Sequence, residues 1–588
     1  MSPQDANACH WGSRRVYIMV LLCQIIGTNT FITLPNIAVT HGTTGYILSY
    51  VLTYIVLGIP LLYMEFTISQ FTTRDCLEVW RAREFLSHIG YIHIFYQTVM
   101  IIYNHMVSSF VLHYFLISFE NPIPYYICGR WATKDCGILA TNYTVNQDCI
   151  KEKEPTSYCE YIFITFPEYQ YWRYYILGSD ADYFHIAWRV CLASGLCCVF
   201  LFLCCFKTTD SMKWFMAVFT LYPLLGYVLL IIGSMMQKGL VVMYEEALDS
   251  DFSVFMTRVR ASNIILIVMY TLNIGTGISF NLASGTSFRT PCYSNTVITV
   301  AVCTVFTVLT VCTAAMMSCP YAYEHDIPPY STLKFPIALV FGKTPRFLYE
   351  YSHKSFWLIL IYSCNALVGL STNVVLIISL LKLLIKRNRK FSKYTSVICF
   401  VIVVVLFFGT IPLLGARGIN FFVDFKKYIN FIPLFCSILE CVVFVLWYGL
   451  DKFSEDLHFM QGIQPKAYMK ASWVLSCAVL SYVFCYELYY QKNKAQSVMG
   501  ETLGWWTLVS VLGGSILLMI IKLSIAAIKK RFRNAICLDP TWGPRSELLL
   551  RSRAMFTAQA MTKEYLYRQY HLQAGIIARQ RRSNIRTQ

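Results

Sequence analysis

The chain has 588 residues, of which 56% are hydrophobic and only 14% charged, and its mean hydropathy is +0.51. That balance excludes a soluble globular domain and points to an integral membrane protein. The net charge of +17 would suggest nucleic acid on a soluble face, but it sits in loops and tails, at Arg14 and Arg15, at Arg74, Arg81 and Arg83, in Lys382–Lys393, and in the arginine-rich tail after Lys529.

About twelve apolar runs of ~20 residues, each long enough to cross ~30 Å of hydrocarbon, recur from Val16 to Ile528. With the N-terminus inside, every basic cluster falls on the cytoplasmic face, as the positive-inside rule requires. No cleavable signal peptide is apparent. The first run is interrupted: Gly27, Thr28 and Asn29 stand in its middle and Pro35 follows, so a straight helix would carry poor helix formers and an unpaired carbonyl. Broken spans survive in a bilayer where the bare backbone lines a cavity and binds something; a merely kinked helix is the plainer alternative. The second run is followed by a basic loop, and the third, Ile89–Phe119, carries Tyr103 and Asn104 in its middle. A long polar segment, Glu120–Tyr183, holds Cys128, Cys136 and the sequon Asn142-Tyr143-Thr144, and the topology places it outside, where disulfides and glycosylation occur.

Spans four and five are expected at His185–Phe206 and Trp214–Ser234. Span six, Arg260–Ser287, contains Asn273-Ile274-Gly275-Thr276-Gly277, a second glycine break five spans after the first. Two interrupted spans at corresponding positions point to a transporter with inverted repeats and a midplane site, with a glycine pair for close helix packing as the plainer alternative. Span seven is expected at Ser294–Met317 and span eight at Phe356–Leu384, and four more spans follow. The 23 cysteines are scattered without metal-ligand spacing and read as small apolar side chains. No P-loop, kinase, zinc or nucleophile-elbow pattern supports an enzyme.

Several long patterns then occur in order: Gly58-Ile59-Pro60-Leu61 with Glu65 and Gln70; Cys128, Trp131 and Cys136; Trp447-Tyr448-Gly449 with Asp451, Phe453, Asp456, Met460 and Gly462; and Pro540, Trp542, Gly543 and Pro544. In these the chain resembles the neurotransmitter:sodium symporter family, solute carrier family 6, as a divergent member. The resemblance implies an all-α membrane fold of about twelve helices, two inverted five-helix repeats with broken first and sixth helices, plus two further helices. It divides the chain into a cytoplasmic segment 1–15, a first repeat 16–234 with an extracellular loop 120–184, a second repeat 235–450, the last two spans 451–528, and a basic cytoplasmic tail 529–588. It also implies a Cys128–Cys136 disulfide.

Carried over residue by residue, the resemblance places a solute against Gly27, Thr28, Asn29, Tyr103, Tyr270, Asn273 and Thr276. Gly27 stands where amine transporters have an aspartate, which favours an amino acid or related small solute that brings its own carboxylate. Glu65 resembles the buried glutamate that holds loose backbone amides. The ion sites depart from the family: Thr30 replaces a sodium-binding asparagine, Cys303 replaces its partner, Thr271 remains, and Asn365-Ala366 stands for the Asp-Ser pair of the second site. These leave Thr30, Thr271 and Asn365 as weak sodium ligands, since a hard cation wants several oxygens. The chloride position keeps Tyr50, Thr271 and Thr307 but has Ile267 for a glutamine. Thr33 replaces the outer gate arginine, and its acidic partner falls on Phe425 or the adjacent Asp424. Ala8 and Leu380 replace the inner gate pair.

The expectation is a solute symporter with weak or altered coupling to Na+ and Cl−, no other cofactor, and the lipid bilayer as its setting. Cytoplasmic protein partners would meet the C-terminal tail, and nucleic acid is not a partner. The plasma membrane is the expected location, with a vesicle membrane as the alternative. The competing expectation is a non-transporting receptor or scaffold that retains the fold.

Overall fold

A computed structural model describes residues 11–41, 43–134, 136–137, 166–179, 186–239, 258–325, 339–493, 499–539 and 541–556. All regular structure among them is helical. Ten helices are long and apolar enough to cross a membrane, and the bent pair Arg14–Ile25 and Thr28–Pro35 makes an eleventh span. The twelfth is span 6, in two pieces, Arg258–Leu272 and Ile278–Ala283. The expected twelve-helix architecture is therefore present, although some boundaries move: span 7 runs from Cys292 to His325 and span 8 from Lys354 to Arg387.

Local chemistry explains the shapes. Span 1 opens on an N-cap, Ser13, whose hydroxyl accepts from Val16 N, satisfying one of the free amides of a first helical turn. Span 2 (Thr43–Thr72) widens into a π-turn at Tyr54–Gly58 ahead of Pro60, whose ring nitrogen donates nothing to the ladder. The Pro60 carbonyl accepts instead from the Trp473 indole at 2.8 Å, which ties span 2 to span 11 (Ala467–Asn493). A Cβ at Gly58 would lie 2.7 Å from Leu272 Cδ1, so glycine lets span 2 approach the end of the first half of span 6.

Span 3 (Ile89–Ile117) and span 8 form the interior of the bundle. Their close approach is set at Gly369, where a Cβ would meet Ser108 Oγ at 2.5 Å. Span 12 (Met499–Ile528) and span 9 (Thr395–Thr410) turn apolar side chains such as Leu517 and Phe408 outward, as lipid-facing helices do.

In the outer segment, Cys128 and Cys136 are disulfide-bonded as expected. The sequon Asn142 lies outside the described residues. Gln170 clamps the disulfide loop to the short helix Pro167–Gln170, accepting from Thr133 N at 2.9 Å and donating to Thr133 Oγ1 at 2.8 Å. On that helix Glu168 is buried, with Arg346 Nη1 at 3.8 Å; Arg346 Nη2 also lies 3.5 Å from Glu350. Burial outweighs the arginine and pushes the Glu168 carboxyl from its ordinary 4.5 up to about 7.

Folding thus binds a proton at Glu168 that the unfolded chain releases, so the stability this group contributes at low pH is lost as pH rises from about 4.5 to about 7. Thermal unfolding of the purified protein should show lower stability at alkaline than at acidic pH, with Glu168 contributing up to ~3 kcal/mol. Glu168→Gln should flatten that slope. An identical slope in the variant would contradict the assignment.

Candidate functional site

The first span breaks at Ile26 and Gly27, between Arg14–Ile25 and Thr28–His41, with a bend of 40°. Thr28 and Asn29 therefore open the second half rather than form the unwound turn itself, and amides of a first helical turn lack intrahelical acceptors. The Thr28 hydroxyl donates to Asn104 Oδ1 at 2.6 Å, joining the break to span 3 one residue beyond Tyr103. A Cβ on Gly27 would lie 3.0 Å from Thr372 Oγ1, so glycine brings this turn against span 8.

Span 6 breaks where expected. Asn273, Gly275 and Gly277 all have left-handed backbone, with φ of 54°, 72° and 78°, a conformation that glycine and asparagine adopt most readily. The freed groups find specific partners. Gly275 N donates to Glu65 Oε1 at 2.5 Å, the role its resemblance implied. Gln97 donates to Thr276 O at 2.9 Å, and Thr276 Oγ1 to Asn273 O at 2.7 Å. Asn273 Nδ2 donates to Gln24 O at 3.0 Å, linking the two broken spans directly. The Gln24 side-chain amide is itself buried, and among the described residues neither of its polar atoms has a hydrogen-bond partner. Thus Gly27, Thr28, Asn29, Asn273 and Thr276 gather at the two breaks, with Tyr103 beside them on span 3 and Tyr270 half-buried in the last turn before the second break.

The candidate cation ligands are distributed differently from the sequence expectation. Asn365 shares a cavity with Phe31 and Pro35 of the second half of span 1, and its Oδ1 accepts from Tyr227 on span 5 (Thr209–Met235) at 2.5 Å. The span 8 hydroxyl at the break belongs to Thr372, which lies 3.2 Å from Cys23 O, 3.4 Å from Ile26 O and 3.3 Å from Val368 O. A single proton cannot serve three carbonyls, which leaves oxygen lone pairs of the kind a hard cation binds at this contact between span 1 and span 8. Thr30 and Thr271 instead spend their hydroxyl protons on their own backbone, at Gly27 O (2.6 Å) and Ile267 O (2.8 Å). Cys303 Sγ lies 3.4 Å from the Tyr54 hydroxyl.

The residues expected at the chloride position do come together. The Tyr50 hydroxyl has Tyr54, Thr271 and Thr307 around it, all buried, and Thr307 Oγ1 has no settled hydrogen bond of its own. With the Thr271 proton committed to Ile267 O, Thr307 and the tyrosine pair are the hydroxyls left to meet a small anion, with no carboxylate among them.

Both closures differ from the sequence expectation. At the outer side Thr33 is half-buried; Asp424 faces span 12, where a Cβ at Gly500 would lie 3.0 Å from Asp424 Cβ, while the Phe425 ring packs on Phe422. The residues of span 10 (Ala416–Trp447) that meet Tyr103 are Phe422, stacked on its ring, and Lys426, whose Nζ lies 3.4 Å from the ring centroid. At the inner side Ala8 lies outside the described residues and Leu380 is half-buried, but the closure is not uncharged. Lys386 Nζ pairs with Asp75 Oδ2 and Glu78 Oε2, both at 2.6 Å, and Lys382 Nζ lies over the Trp11 ring at 3.3 Å. The span 8 residues in these contacts, Thr372 and Lys386, are not among those the resemblance singled out there. Serine, threonine and asparagine recur along this helix, so pattern alone left its register open. Lys426 did carry a signal, since a lysine pair inside an apolar span is rare without a role.

Two broken helices facing each other in a twelve-span bundle, with free polar groups at the breaks, define a secondary-transporter architecture. The sequence profile of the sodium:neurotransmitter symporter family matches residues 9–532, and the chain belongs to that family. It is similar to the sodium- and chloride-dependent glycine transporter 1 of Xenopus laevis, 21% identical over 494 residues that cover 79% of this chain and 75% of the relative.

The Lys386 pairs close the inner face over Cys76, which is fully buried beside Asp75. Lys386→Ala should raise the rate at which a maleimide labels Cys76 in inside-out vesicles, read by mass spectrometry, by about three- to tenfold. An unchanged rate would show that the pairs do not hold the closure.

Proposed function

We propose that this protein is a secondary carrier of a small carboxylate-bearing solute, held at the two breaks and coupled to one sodium ion rather than two. The observation that carries this reading is the oxygen cluster of Cys23 O, Ile26 O, Val368 O and Thr372 Oγ1. It joins span 1 to span 8 at the turn whose neighbours would hold the solute. A cation here ties two helices that must move relative to each other, which is what coupling requires, since a ligand shifts an equilibrium only by its differential affinity for the two states.

The other expected sodium position is weaker. Thr30 and Thr271 have committed their protons but retain lone pairs, and Cys303 offers a thiol, a poor ligand for a hard cation. Chloride would sit among Tyr50, Thr271 and Thr307. Gly27 brings no side-chain charge to the break, which agrees with the glycine transport for which the relative is named. Asn365 drops out as a sodium ligand in this scheme and Thr372 takes its place.

A second reading, a non-transporting receptor or scaffold, is favoured by the ordered start of the tail. Arg553 reaches Asp456 Oδ1 at 2.6 Å and Glu455 Oε2 at 3.2 Å, and Arg74 donates to Thr541 O at 2.8 Å. These contacts strap the tail across the inner loops, where a cytoplasmic partner would find it.

Uptake of labelled amino acids and carboxylates in cells, with sodium and chloride replaced in turn, separates the readings. Sodium should stimulate uptake with a Hill slope near one, and Thr372→Val should raise the half-saturating sodium concentration about tenfold, equivalent to ~1.4 kcal/mol. Tyr103→Phe should weaken solute affinity without changing the sodium response. Sodium-independent uptake, or a Thr372→Val variant indistinguishable from the parent, would overturn the coupling scheme. Surface-expressed protein that moves nothing would favour the scaffold.

A further inference from the structure

Span 10 carries a buried lysine without a counterion. Lys426 is only 8% exposed, and among the described residues it makes no ion pair or hydrogen bond; its sole polar contact is the face of Tyr103. The next residue supplies the contrast, because Lys427 pairs with Glu501 Oε1 at 3.0 Å. A charge withdrawn from water without a partner is costly, and a ring face returns only part of that cost.

The surroundings favour negative charge. Phe422, one helical turn before Lys426, stacks on the same Tyr103 ring, and the Tyr103 hydroxyl makes no hydrogen bond with a described residue. The carboxylates of neighbouring spans are engaged elsewhere: Glu65 with Gly275 N, Glu487 with Ser262 Oγ, and Glu501 with Lys427. Asp424 lies against span 12, and Glu440 stands fourteen residues further along span 10, about 21 Å away at helical rise. At the first break Gly27 provides no acid, and the first-turn amides of Thr28–His41 also favour an anion.

We propose that Lys426 is an anion anchor: a carboxylate of the solute binds the Lys426 ammonium and the Tyr103 hydroxyl, so the carrier prefers small carboxylates of net negative charge to zwitterions and cations. The gate that closes over the site is then completed by the solute itself, which supplies the acidic half of the pair. This rests on the reading of the two breaks as a solute-binding centre.

The test is ligand binding to the purified full-length protein in detergent, by thermal shift and competition, with succinate, glutamate, glycine and tyramine as probes. In the parent, succinate and glutamate should bind most tightly. Lys426→Met should weaken both by about thirtyfold or more while leaving glycine within about threefold, and Lys426→Arg should retain most of the anion affinity. Removing an unpaired buried charge should also raise the melting point of the unliganded protein; Lys426→Gln, which keeps a polar tip, serves if the methionine variant does not fold. Unchanged succinate and glutamate affinity in Lys426→Met or Lys426→Gln, or a parent that prefers glycine or tyramine, overturns the anion anchor alone. A parent that binds none of the four probes overturns both the anchor and the solute-binding centre.

Discussion

A backbone amide or carbonyl released inside a bilayer has no water to bond, so each break in a spanning helix must be answered by another part of the protein. The two broken spans meet that demand in different ways. At the span 6 break the answer is largely internal: Glu65 takes Gly275 N, Gln97 takes Thr276 O, and Asn273 reaches across to Gln24 O. At the span 1 break it is shared thinly, with one Thr372 hydroxyl facing the carbonyls of both Cys23 and Ile26. A break that is fully answered is a rigid platform, whereas one that is thinly answered is a place for an ion. The fold therefore supplies a fixed half and a responsive half of the same centre.

Charge has been moved rather than removed from the closures. The inner face is held by a lysine of span 8 against two carboxylates on the loop after span 2, and the outer face presents a lysine against an aromatic ring. The inner lysine has its counterions within the protein, so the arrangement is stable without a ligand. The outer one has none among the described residues, so its stability depends on what the site holds. This asymmetry suits a carrier whose external side waits for solute.

Much of the architecture was legible in the sequence because hydrocarbon thickness and backbone satisfaction leave few solutions. Gly27, the Asn273–Gly277 turn and Glu65 announced themselves as residue types that a plain spanning helix does not use. The Cys128–Cys136 bridge was carried by a family motif. What the sequence could not settle was rotation and register. Span 8 offers hydroxyl and amide side chains at many positions, and only packing against Gly27 singles out Thr372 over Asn365. On span 10 Asp424 lies against span 12 and the Phe425 ring packs on Phe422, while Lys426, one position beyond Phe425, lies over Tyr103. A single residue is ~100° of helix, enough to exchange an interior group for a peripheral one.

The central claim is that a sodium ion at the span 1 break binds the moving half of the bundle to the fixed half. Hydrogen–deuterium exchange of the purified protein, compared in sodium and in an equal concentration of choline, measures this without a known solute. Sodium should add protection confined to residues 23–30 and 366–373, with the span 6 turn already protected in both salts. Exchange that is identical in the two salts at residues 23–30 would contradict it.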